Sequence, residues 1–592
     1  MSDPSAAASD RVVPKLCGAD IEFGNLIVGG APDRWGDTAG EAARAVLDEI
    51  PGHSRNAAHY YSASAYSCSY DDGDWQSPGA GLYGNTYRHD RDGTSPRYGH
   101  GSGYREYAQD RGRKFLPANG GAAYIDLDHL EICLPEVRSA ADHVAAFGAM
   151  LRISREAMNR ANQYMPTGKT IKILVNNSNG HGSSYGSHLN FLTTRACWHN
   201  IFNRRMHYLL FLASYQCASI VLSGAGKVGS EIPAEPARYQ ISARADFFEV
   251  LAGPQTTIHR PICNCRDEAL TGLPGLGGGE ERLARLHSIF FDNTLCQTAS
   301  FLKVGMTQVV LAMIEQEQVP VQLLLDDPVE SLHRWSRDPG LAAKNRLIDG
   351  AEYTVVDLLE AVFEKAKRFV DAGRADGLVD DVGRIMDVWG DCLQQLRRRE
   401  FDKLAGRIDW IAKLSLLERT AAKRQIGWDS PSMKYLDHMY ASLDPAEGLY
   451  WALERAGAVQ KVVSDGEIER FVHEPPENTR AWLRAYILRH ADPGAVDDVD
   501  WDMVRMRQKN PSPGSWPAYH HPELWMSDPL RFTREECEPV LKAAPSLMDG
   551  LAALGLGRQV ENGLPAAPAS TAIVQSNYSI RPAVPGKHFT GD

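Results

Sequence analysis

The sequence predicts an α+β fold in which helices cover one face of a mainly antiparallel sheet and the other face forms a polar cradle. Three observations favour this class. Two strand-like segments in the first quarter of the chain carry alternating acids, two later segments alternate as half-buried strands do, and apolar helical segments fill much of the second half. A small C-terminal domain is expected after them.

The predicted elements follow one another in a regular order. Residues 14–30 have strand and turn character, and 38–49 has the pattern of a short helix. A strand at 121–134 precedes a helix at 138–164, in which apolar residues recur at helical spacing. We then expect a strand at 170–176, two antiparallel strands at 239–251 and 256–265, and helices at 299–317, 355–371, 381–397 and 401–424.

The segment between the first helix and the second acidic strand differs in composition. Residues 52–118 are rich in Tyr, Gly, Ser, Asp and Arg and have almost no Leu, Ile or Val, so they form no core of their own and we expect a lid-like insertion. The predicted organisation is a disordered leader at 1–13, a main domain at 14–425 that contains this insertion, a small C-terminal domain at 426–510, and an extension at 511–592 with a disordered tail.

The overall composition is that of a globular protein with a sizeable core. Of the 592 residues, 43% are hydrophobic and 23% are charged. The net charge of −12 argues against nucleic acid or a membrane surface as a partner. The first ten residues lack an apolar signal core and no run of 18 apolar residues occurs, so we expect a cytoplasmic protein.

Two motifs are not expected to carry chemistry. The ten cysteines are scattered singly, and the Cys263–Cys265 spacing suits neither a zinc ribbon nor a thioredoxin site, so we expect reduced packing residues. The glycine-rich turn at 223–229 lacks the spacing and the following Ser or Thr of a Walker A phosphate loop. Neither motif is expected to form the functional site.

The acidic residues are the most informative feature of the chain. In a strand, Asp20 and Glu22 lie on one face, roughly 7 Å apart, because side chains alternate with a period of two. A second segment carries Asp126, Asp128 and Glu131. Two such strands side by side would build an oxygen-rich site of the kind that holds Mg²⁺ and a nucleotide phosphate. The alternative is that alternating acids mark a solvent-facing edge strand.

Polar and basic residues suited to phosphate binding occur further along the chain. The loop at 177–191 is dense in small residues, and its glycines allow a close backbone approach to a ligand. Arg244 and Arg266 lie near the ends of the two later strands, and a guanidinium pairs with phosphate or carboxylate oxygens in two places at once. A surface salt bridge is the alternative for either arginine.

A set of short motifs occurs in a fixed order between residues 14 and 505. They are Gly18-x-Asp20-x-Glu22-Phe23-Gly24, the segment 121–136, Ser184-Tyr185-Gly186-Ser187-His188-x-Asn190, Ser242-x-Arg244-Ala245-Asp246, Asn264-x-Arg266-Asp267-Glu268, Arg285-Leu286-His287, Asp292-Asn293 and Leu302-Lys303-x-Gly305. As an ordered set they resemble the Pup ligase and depupylase/deamidase family. The resemblance implies the glutamine synthetase-like fold of the carboxylate–amine ligases.

The resemblance also implies roles for individual residues. Asp126 matches the family's catalytic aspartate, which takes a proton from lysine in a ligase and acts as nucleophile or water activator in a depupylase. Asp128 is the nearest competitor, and a metal-bound or structural acid is the alternative. The implied Mg²⁺ ligands are Asp20, Glu22 and Glu131, and the implied contacts to ATP, or to ADP plus phosphate, are Arg244, Arg266, His188 and Asn190.

Three acidic positions of the family pattern are changed in this chain. Asp20 replaces a glutamate and is one methylene shorter, which would shift the metal site. Leu189 and Gln297 stand where the family has glutamates. If those glutamates contacted metal, nucleotide or substrate, the charge balance around the cation would change and the standard reaction would be weakened, retuned or absent.

The implied function is an ATP- and Mg²⁺-dependent hydrolase that cleaves the isopeptide or C-terminal amide bond of a small, disordered Pup-like modifier. The insertion at 52–118 favours this branch, because the hydrolases have an extra loop there. One alternative is a ligase that joins the modifier to lysine through a glutamyl phosphate. A second is a non-catalytic relative that only captures the modifier. The implied partners are the modifier and its lysine-linked conjugates, in a proteasome pathway.

Overall fold

The structure is a computed structural model that describes residues 12–29, 38–54, 111–231, 235–267, 283–510 and 518–557, together with 560, 561, 564 and 565. Its strands are β1 (Cys17–Glu22), β2 (Gly24–Val28), β3 (His53–Ser54), β4 (Arg111–Phe115), β5 (Ala122–Asp126), β6 (His129–Val137), β7 (Thr170–Leu174), β8 (Ser187–Thr194), β9 (Lys227–Val228), β10 (Tyr239–Gln240), β11 (Phe248–Gly253), β12 (Arg260–Asn264), β13 (Leu283–Ser288), β14 (Lys344–Arg346), β15 (Glu352–Thr354), β16 (Val496–Val499), β17 (Met503–Met506), β18 (Gln508–Lys509), β19 (Tyr519–His520), β20 (Glu523–Trp525), β21 (Val560–Glu561) and β22 (Leu564–Pro565).

Helices make up most of the second half of the described chain, as predicted. The α-helices are α1 (Ala39–Glu49), α2 (Ala140–Gln163), α3 (Arg195–His199), α4 (Met206–Ser223), α5 (Gln297–Glu315), α6 (Pro328–Ser336), α7 (Val355–Asp371), α8 (Val382–Arg397), α9 (Phe401–Leu404), α10 (Asp409–Arg424), α11 (Pro431–Tyr440), α12 (Leu449–Arg455), α13 (Asp465–His473), α14 (Ala481–His490), α15 (Arg534–Ala543) and α16 (Leu547–Leu554). A π-helical turn (Asn200–Arg204) joins α3 to α4.

The main sheet has seven strands in the order β13-β8-β1-β6-β5-β4-β3, and every neighbouring pair is antiparallel. Its two faces differ because side chains alternate along each strand. Ile21, Ile125 and Ile132 point to the face that α2 covers and belong to the main hydrophobic core. The intervening Glu22 and Glu131, which are paired across β1 and β6, point to the opposite face. The predicted α+β class with a polar cradle is confirmed.

The helical layer is built around helices that are apolar on several sides and are therefore buried. α5 is buried along its whole length, and it packs against α2, α4 and α8. Among the described helices, α4 alone is long and apolar enough to cross a membrane, but 83% of it is buried inside the fold. A core helix of this kind satisfies the same criteria of length and composition.

The segment predicted as one strand at 121–134 is instead the hairpin of β5 and β6. Leu127 and Asp128 form its two-residue turn, and both have positive φ, 43° and 71°. A type I′ turn requires this geometry, but it normally has Asn-Gly, Asp-Gly or Gly-Gly, and Leu127-Asp128 is none of these. The hairpin places Asp126 and Glu131 on the same face of neighbouring strands.

A second prediction about strands was wrong in direction. The segments at 239–251 and 256–265 were expected to pair antiparallel, but β11 and β12 run parallel. The six residues between them return the chain to the start of β11, so that Arg260 lies beside Phe248. Alternation indicates a strand but carries no information about the direction of its partner.

The ends of the predicted insertion belong to the main sheet. β3 and β4, at 53–54 and 111–115, pair with each other, and β4 pairs with β5. Residues 55–110 lie outside the described residues, so the lid-like role of this segment stays a prediction. The leader at 1–13 and the tail are likewise described only in part.

A second hydrophobic core covers part of the cradle face. It contains Phe115, Tyr124 and Cys133 of the sheet together with residues from Trp482 to Leu551. By contrast, α11, α12 and α13 contribute Met433, Tyr440, Tyr450 and Phe471 to the main core. The domain boundaries at 425 and 510 stay predictions, and the two cores divide the chain elsewhere, between 471 and 482.

A buried ionic network joins the second core to β6. Glu136 accepts hydrogen bonds from Arg480 Nε (2.7 Å) and Arg484 Nη2 (2.6 Å), and Arg484 also donates to the carbonyl of Gly120 (2.7 Å). Burial alone would raise the pKa of Glu136, but the two arginines lower it to about 2. The carboxylate therefore stays charged and holds two buried guanidinium groups.

We predict that Glu136→Gln destabilises the protein by about 3 kcal/mol at pH 7, because two buried cations lose their counter-charge. The lowered pKa means that this stabilisation is complete above the unfolded pKa of about 4.5 and is lost as the pH falls toward 2. Urea unfolding of parent and variant should therefore differ at pH 7 and converge near pH 2. Glu535→Gln, at an exposed position, serves as the control. A difference in unfolding free energy between parent and Glu136→Gln that does not depend on pH would contradict this account.

Candidate functional site

The cradle face carries a cluster of acids contributed by three strands. Glu22 of β1, Asp126 of β5 and Glu131 of β6 each place a carboxylate oxygen within 4.8 Å of the others. Asp20 lies two residues before Glu22 on β1. One of its carboxylate oxygens is within 4.8 Å of a carboxylate oxygen of Glu131 and of the Cys133 thiol. The structure thus brings the four predicted acids together, with Glu131 shared between two groups.

The β5–β6 turn decides which aspartate belongs to the cluster. The Asn25 side chain donates to the Asp128 carbonyl (3.0 Å) and accepts from the amide of Leu130 (2.9 Å), which holds the strained turn in place. The Asp128 side chain lies against Gly40 of α1, so closely that a β-carbon at position 40 would come within 2.7 Å of Asp128 Oδ1. Asp126, and not Asp128, faces Glu22 and Glu131.

The electrostatics of the cluster favour a bound cation or protons. Burial raises the pKa of Glu131 well above its ordinary value, and the neighbouring Glu22, Asp20 and Asp126 raise it further. Burial also raises the pKa of Glu22, although the Gly186 backbone amide opposes this. Buried carboxylates at this spacing repel one another when all are ionised. A divalent cation would remove that repulsion.

The donor set fits Mg²⁺ best around Glu22, Asp126 and Glu131. Mg²⁺ prefers oxygen ligands and is usually shared between carboxylates and phosphate oxygens. The second group, around Asp20, includes a thiol, which is a poor ligand for this ion. The residues present therefore fit the implied metal, and Glu22 and Glu131 are the predicted ligands in the all-oxygen group.

Asp20 is held by a chain of side chains that crosses the sheet. Asn190 Nδ2 donates to Asp20 Oδ2 (2.8 Å), and Asn190 Oδ1 accepts from Arg285 Nη1 (3.0 Å). Arg285 also contacts His287 Nδ1 (3.3 Å), whose ring lies 5.1 Å from that of His188. Asp20, His188 and Asn190 therefore lie close together. The Asn190 side chain is hydrogen-bonded to the Asp20 carboxylate and does not point into solvent.

A group of arginines lies beside the acids. Arg244 is buried and donates to the Phe291 carbonyl (3.2 Å), the Ile289 carbonyl and the Ser184 hydroxyl (3.3 Å). Arg260 donates to the Ser184 carbonyl (2.7 Å). Burial and the charge of Arg260 lower the pKa of Arg244 to about 9. The charges of both guanidinium groups act to lower the pKa of Glu22. Positive charge therefore lies next to the acid cluster.

The same arginines keep His188 neutral. Burial lowers its pKa well below the usual value, and the charges of Arg244, Arg260, Arg285 and Arg266 lower it further. Arg266 therefore lies within electrostatic reach of the site, on the segment after β12. A neutral imidazole can accept a hydrogen bond or donate one without adding charge.

Two of the departures from the family pattern lie outside the acid cluster. Leu189 pairs with Ala19 across β8 and β1, is fully buried, and belongs to the main core on the opposite face of the sheet. Gln297 accepts hydrogen bonds from the amides of Val462 (2.7 Å) and Val463 (2.9 Å). Neither position directs a side chain at Glu22 or Glu131, so neither replacement removes a ligand from this cluster.

Sequence reasoning did not select Arg260, Arg285 or His287 as site residues. The Arg285-x-His287 spacing places both side chains on one face of a strand, and this signal was present in the sequence. Arg260 follows no comparable pattern. Lys227, in the rejected phosphate-loop segment, forms a buried ion pair with Asp246 (3.0 Å), which agrees with that rejection.

The antiparallel sheet, its acid-lined face and the adjacent arginines define a glutamine synthetase-like α+β enzyme fold. The model of the Pup-ligase protein family matches residues 15–505, and the chain belongs to that family. The predicted resemblance is confirmed. The family contains enzymes named for two reactions, and similarity alone does not separate them for this chain.

Curated relatives carry both names. The depupylase of Acidothermus cellulolyticus is 35% identical over 442 residues, which cover 74% of this chain and 83% of that protein. The Pup–protein ligase of Acidimicrobium ferrooxidans is 34% identical over 397 residues, which cover 66% of this chain and 83% of that protein. The Pup deamidase/depupylase of Mycobacterium tuberculosis is 33% identical over 393 residues, which cover 65% of this chain and 74% of that protein.

Solved structures agree on the fold. The complex between the prokaryotic ubiquitin-like protein Pup and its ligase PafA contains a chain that matches with a TM-score of 0.66 at 23% identity, covering 89% of this chain and 90% of that one. The Pup ligase PafA in complex with ADP matches with a TM-score of 0.60 at 24% identity, covering 74% of this chain and 94% of that one.

Proposed function

We propose that this chain is an ATP- and Mg²⁺-dependent hydrolase that cleaves the isopeptide or C-terminal amide bond of a small Pup-like modifier. The observation that carries the proposal is the position of Asp126 at the β5–β6 turn, with a carboxylate oxygen within 4.8 Å of those of Glu22 and Glu131. Relatives named depupylase and Pup deamidase/depupylase support the reaction type. The lysine-linked conjugates of the modifier, in a proteasome pathway, would be the substrates.

In this proposal the acids bind the metal and the arginines bind phosphate or acyl oxygens. Glu22 and Glu131, with Asp20 beside them, would hold Mg²⁺, which supplies positive charge to nucleotide phosphate oxygens. Arg244 and Arg266 would hold phosphate or acyl oxygens, because a guanidinium offers paired donors to such groups. The ADP complex of PafA supports a nucleotide as cofactor, either ATP or ADP with phosphate.

Asp126 would carry the chemical step. Its carboxylate can attack the acyl carbon of the modifier's C-terminal residue, or take a proton from a water that does so. In the first case the lysine amine leaves with a proton from water, and a second water hydrolyses the resulting anhydride. In the second case Asp126 passes the proton that it took from water to the leaving amine. The adjacent arginines would stabilise the negative charge that develops on the acyl oxygen.

The ligase reaction is the second candidate, supported by the similarity to the Acidimicrobium ferrooxidans enzyme over two thirds of this chain. There Asp126 would take the proton from the incoming lysine. The hydrolase is preferred because a long segment separates β3 from β4, at the place where the resemblance puts the extra loop of the hydrolase branch. A non-catalytic modifier-binding protein is the third candidate.

The test incubates the full chain with a lysine-linked Pup conjugate, and separately with free modifier and a target protein, each with Mg²⁺ and either ATP or ADP plus phosphate. We expect release of free modifier with both nucleotides and no matching consumption of ATP. Conjugates that accumulate with one ADP per bond would establish the ligase. If neither reaction occurs while the modifier still binds, the non-catalytic candidate is correct.

A further inference from the structure

A cavity of about 130 Å³ lies in the helical layer, away from the acid cluster. It is lined by the middle of α2, the start of α5, and helices α12 and α13, and it is partly open to solvent. Phe147, Leu151, Tyr450 and Trp451 form apolar walls, and Thr294 and Ser300 contribute hydroxyls. None of these residues has a role in the proposed reaction.

The two hydroxyls are the first sign that the cavity takes a ligand. Thr294 Oγ1 and Ser300 Oγ have no hydrogen-bond partner among the described residues, although Thr294 is 0% and Ser300 2% exposed. Burying a hydroxyl without a hydrogen-bond partner is unfavourable. Both residues line the same cavity, so one polar group placed there could satisfy both of them.

Two basic and two acidic residues line the cavity, namely Arg152, Arg155, Glu454 and Asp465. Arg152 is engaged by Asp465 (3.0 Å) and Glu469 (2.8 Å), and Glu454 lies 3.9 Å from Lys461. Arg155 lines the cavity and forms no ion pair within the described part of the chain, and its guanidinium lies 5.9 Å from the Trp451 ring.

The Thr294 and Ser300 hydroxyls can donate to a carboxylate, and the Arg155 guanidinium can pair with its charge, which fits an anion. The size and the walls of the cavity limit the rest of the ligand. An apolar cavity of about 150 Å³ accepts a benzene ring, and aromatic side chains pack well against another flat ring.

We propose that this cavity binds a small aryl carboxylate, with the ring between the apolar walls and the carboxylate at Thr294, Ser300 and Arg155. The site is separate from the acid cluster. Asn293, the residue before Thr294, donates to the Glu22 carbonyl (3.2 Å), so the loop that precedes α5 lies between the two sites.

The first test measures binding of phenylacetate to the full-length protein by thermal shift and ligand-observed NMR, with benzyl alcohol and phenethylamine as neutral and cationic analogues. We expect phenylacetate to raise the melting temperature in proportion to the logarithm of its concentration and to bind at least ~10-fold tighter than the alcohol. The amine should not bind. Absence of phenylacetate binding, or equal binding of all three probes, would overturn the proposal.

The second test locates the bound probe. Ser300→Ala and Thr294→Val should each weaken phenylacetate at least ~5-fold while leaving the unliganded protein as stable as the parent or more so, because each removes a buried unpartnered hydroxyl. Thr298→Val is the matched control, since Thr298 Oγ1 is also buried without a partner in the described chain but does not line the cavity. It should bind phenylacetate like the parent.

Arg155→Met keeps the apolar stem and removes the charge, so it should erase the preference for phenylacetate over benzyl alcohol. Because the read-out is binding, these results do not depend on whether the chain is a hydrolase or a ligase. Phenylacetate binding that is unchanged in Ser300→Ala, Thr294→Val and Arg155→Met would place the probe elsewhere and refute the assignment.

Discussion

Asp126→Asn should retain binding of nucleotide and of the modifier but cleave a lysine-linked conjugate at least ~100-fold more slowly than the parent, the low end for removing a general base or nucleophile. The amide has nearly the same shape as the carboxylate, so the β5–β6 hairpin should be preserved. It can neither attack an acyl carbon nor accept a proton from water. The assay follows release of free modifier with ATP, and again with ADP plus phosphate.

The matched control for this prediction is Asp128→Asn, two residues further along the same hairpin. Its side chain lies against Gly40 of α1, outside the acid cluster, so we expect turnover close to that of the parent. If Asp128→Asn is inactive while Asp126→Asn cleaves normally, the assignment of Asp126 is wrong. Both variants should show unchanged Mg²⁺-dependent nucleotide binding if Asp126 serves the chemical step and is not essential for holding the metal.

The alternation of side chains along strands was the most productive sequence signal. It predicted that Asp20 and Glu22 lie on one face of a strand, and in the structure Glu22 is paired with Glu131 of β6 on that face. Helices α7 and α8 were predicted within one residue of their ends because their apolar stripes repeat at helical spacing.

The parts that could not be predicted depend on contacts distant in sequence. The type I′ turn at Leu127 and Asp128 is held by Asn25, about a hundred residues earlier, and the turn lacks the Asn or Gly that usually marks this geometry. The second core forms because Trp482 and its neighbours pack on Phe115. Such pairings leave no local pattern in one sequence, so neither the hairpin nor the covering of the cradle could be inferred.

The positions of Leu189 and Gln297 show why a motif comparison needs the structure. Both replace acids of the family pattern, and from the sequence alone both suggested a weakened metal site. Leu189 is in the main core, and Gln297 binds backbone amides between α12 and α13. The acids that the structure does gather, Glu22, Asp126 and Glu131, are all present.

Glu131→Gln should lower Mg²⁺-dependent ATP affinity at least ~100-fold, because Glu131 belongs to both groups of candidate ligands and an amide supplies no negative charge to the cation. The same variant should melt at the same temperature as the metal-free parent or higher. In the absence of a cation, Glu131 is a buried carboxylate beside Glu22, Asp20 and Asp126, and a neutral side chain of the same shape removes their repulsion.

The two effects have opposite signs, and this distinguishes loss of a ligand from loss of the fold. Thermal unfolding is measured with and without Mg²⁺ and ATP, and affinity is measured by calorimetry. The exposed Glu156→Gln, on α2, controls for the change in net charge and should match the parent in both measurements. Unchanged nucleotide affinity in Glu131→Gln would move the metal site away from β6, and a lower melting temperature without Mg²⁺ would show that Glu131 stabilises the sheet by itself.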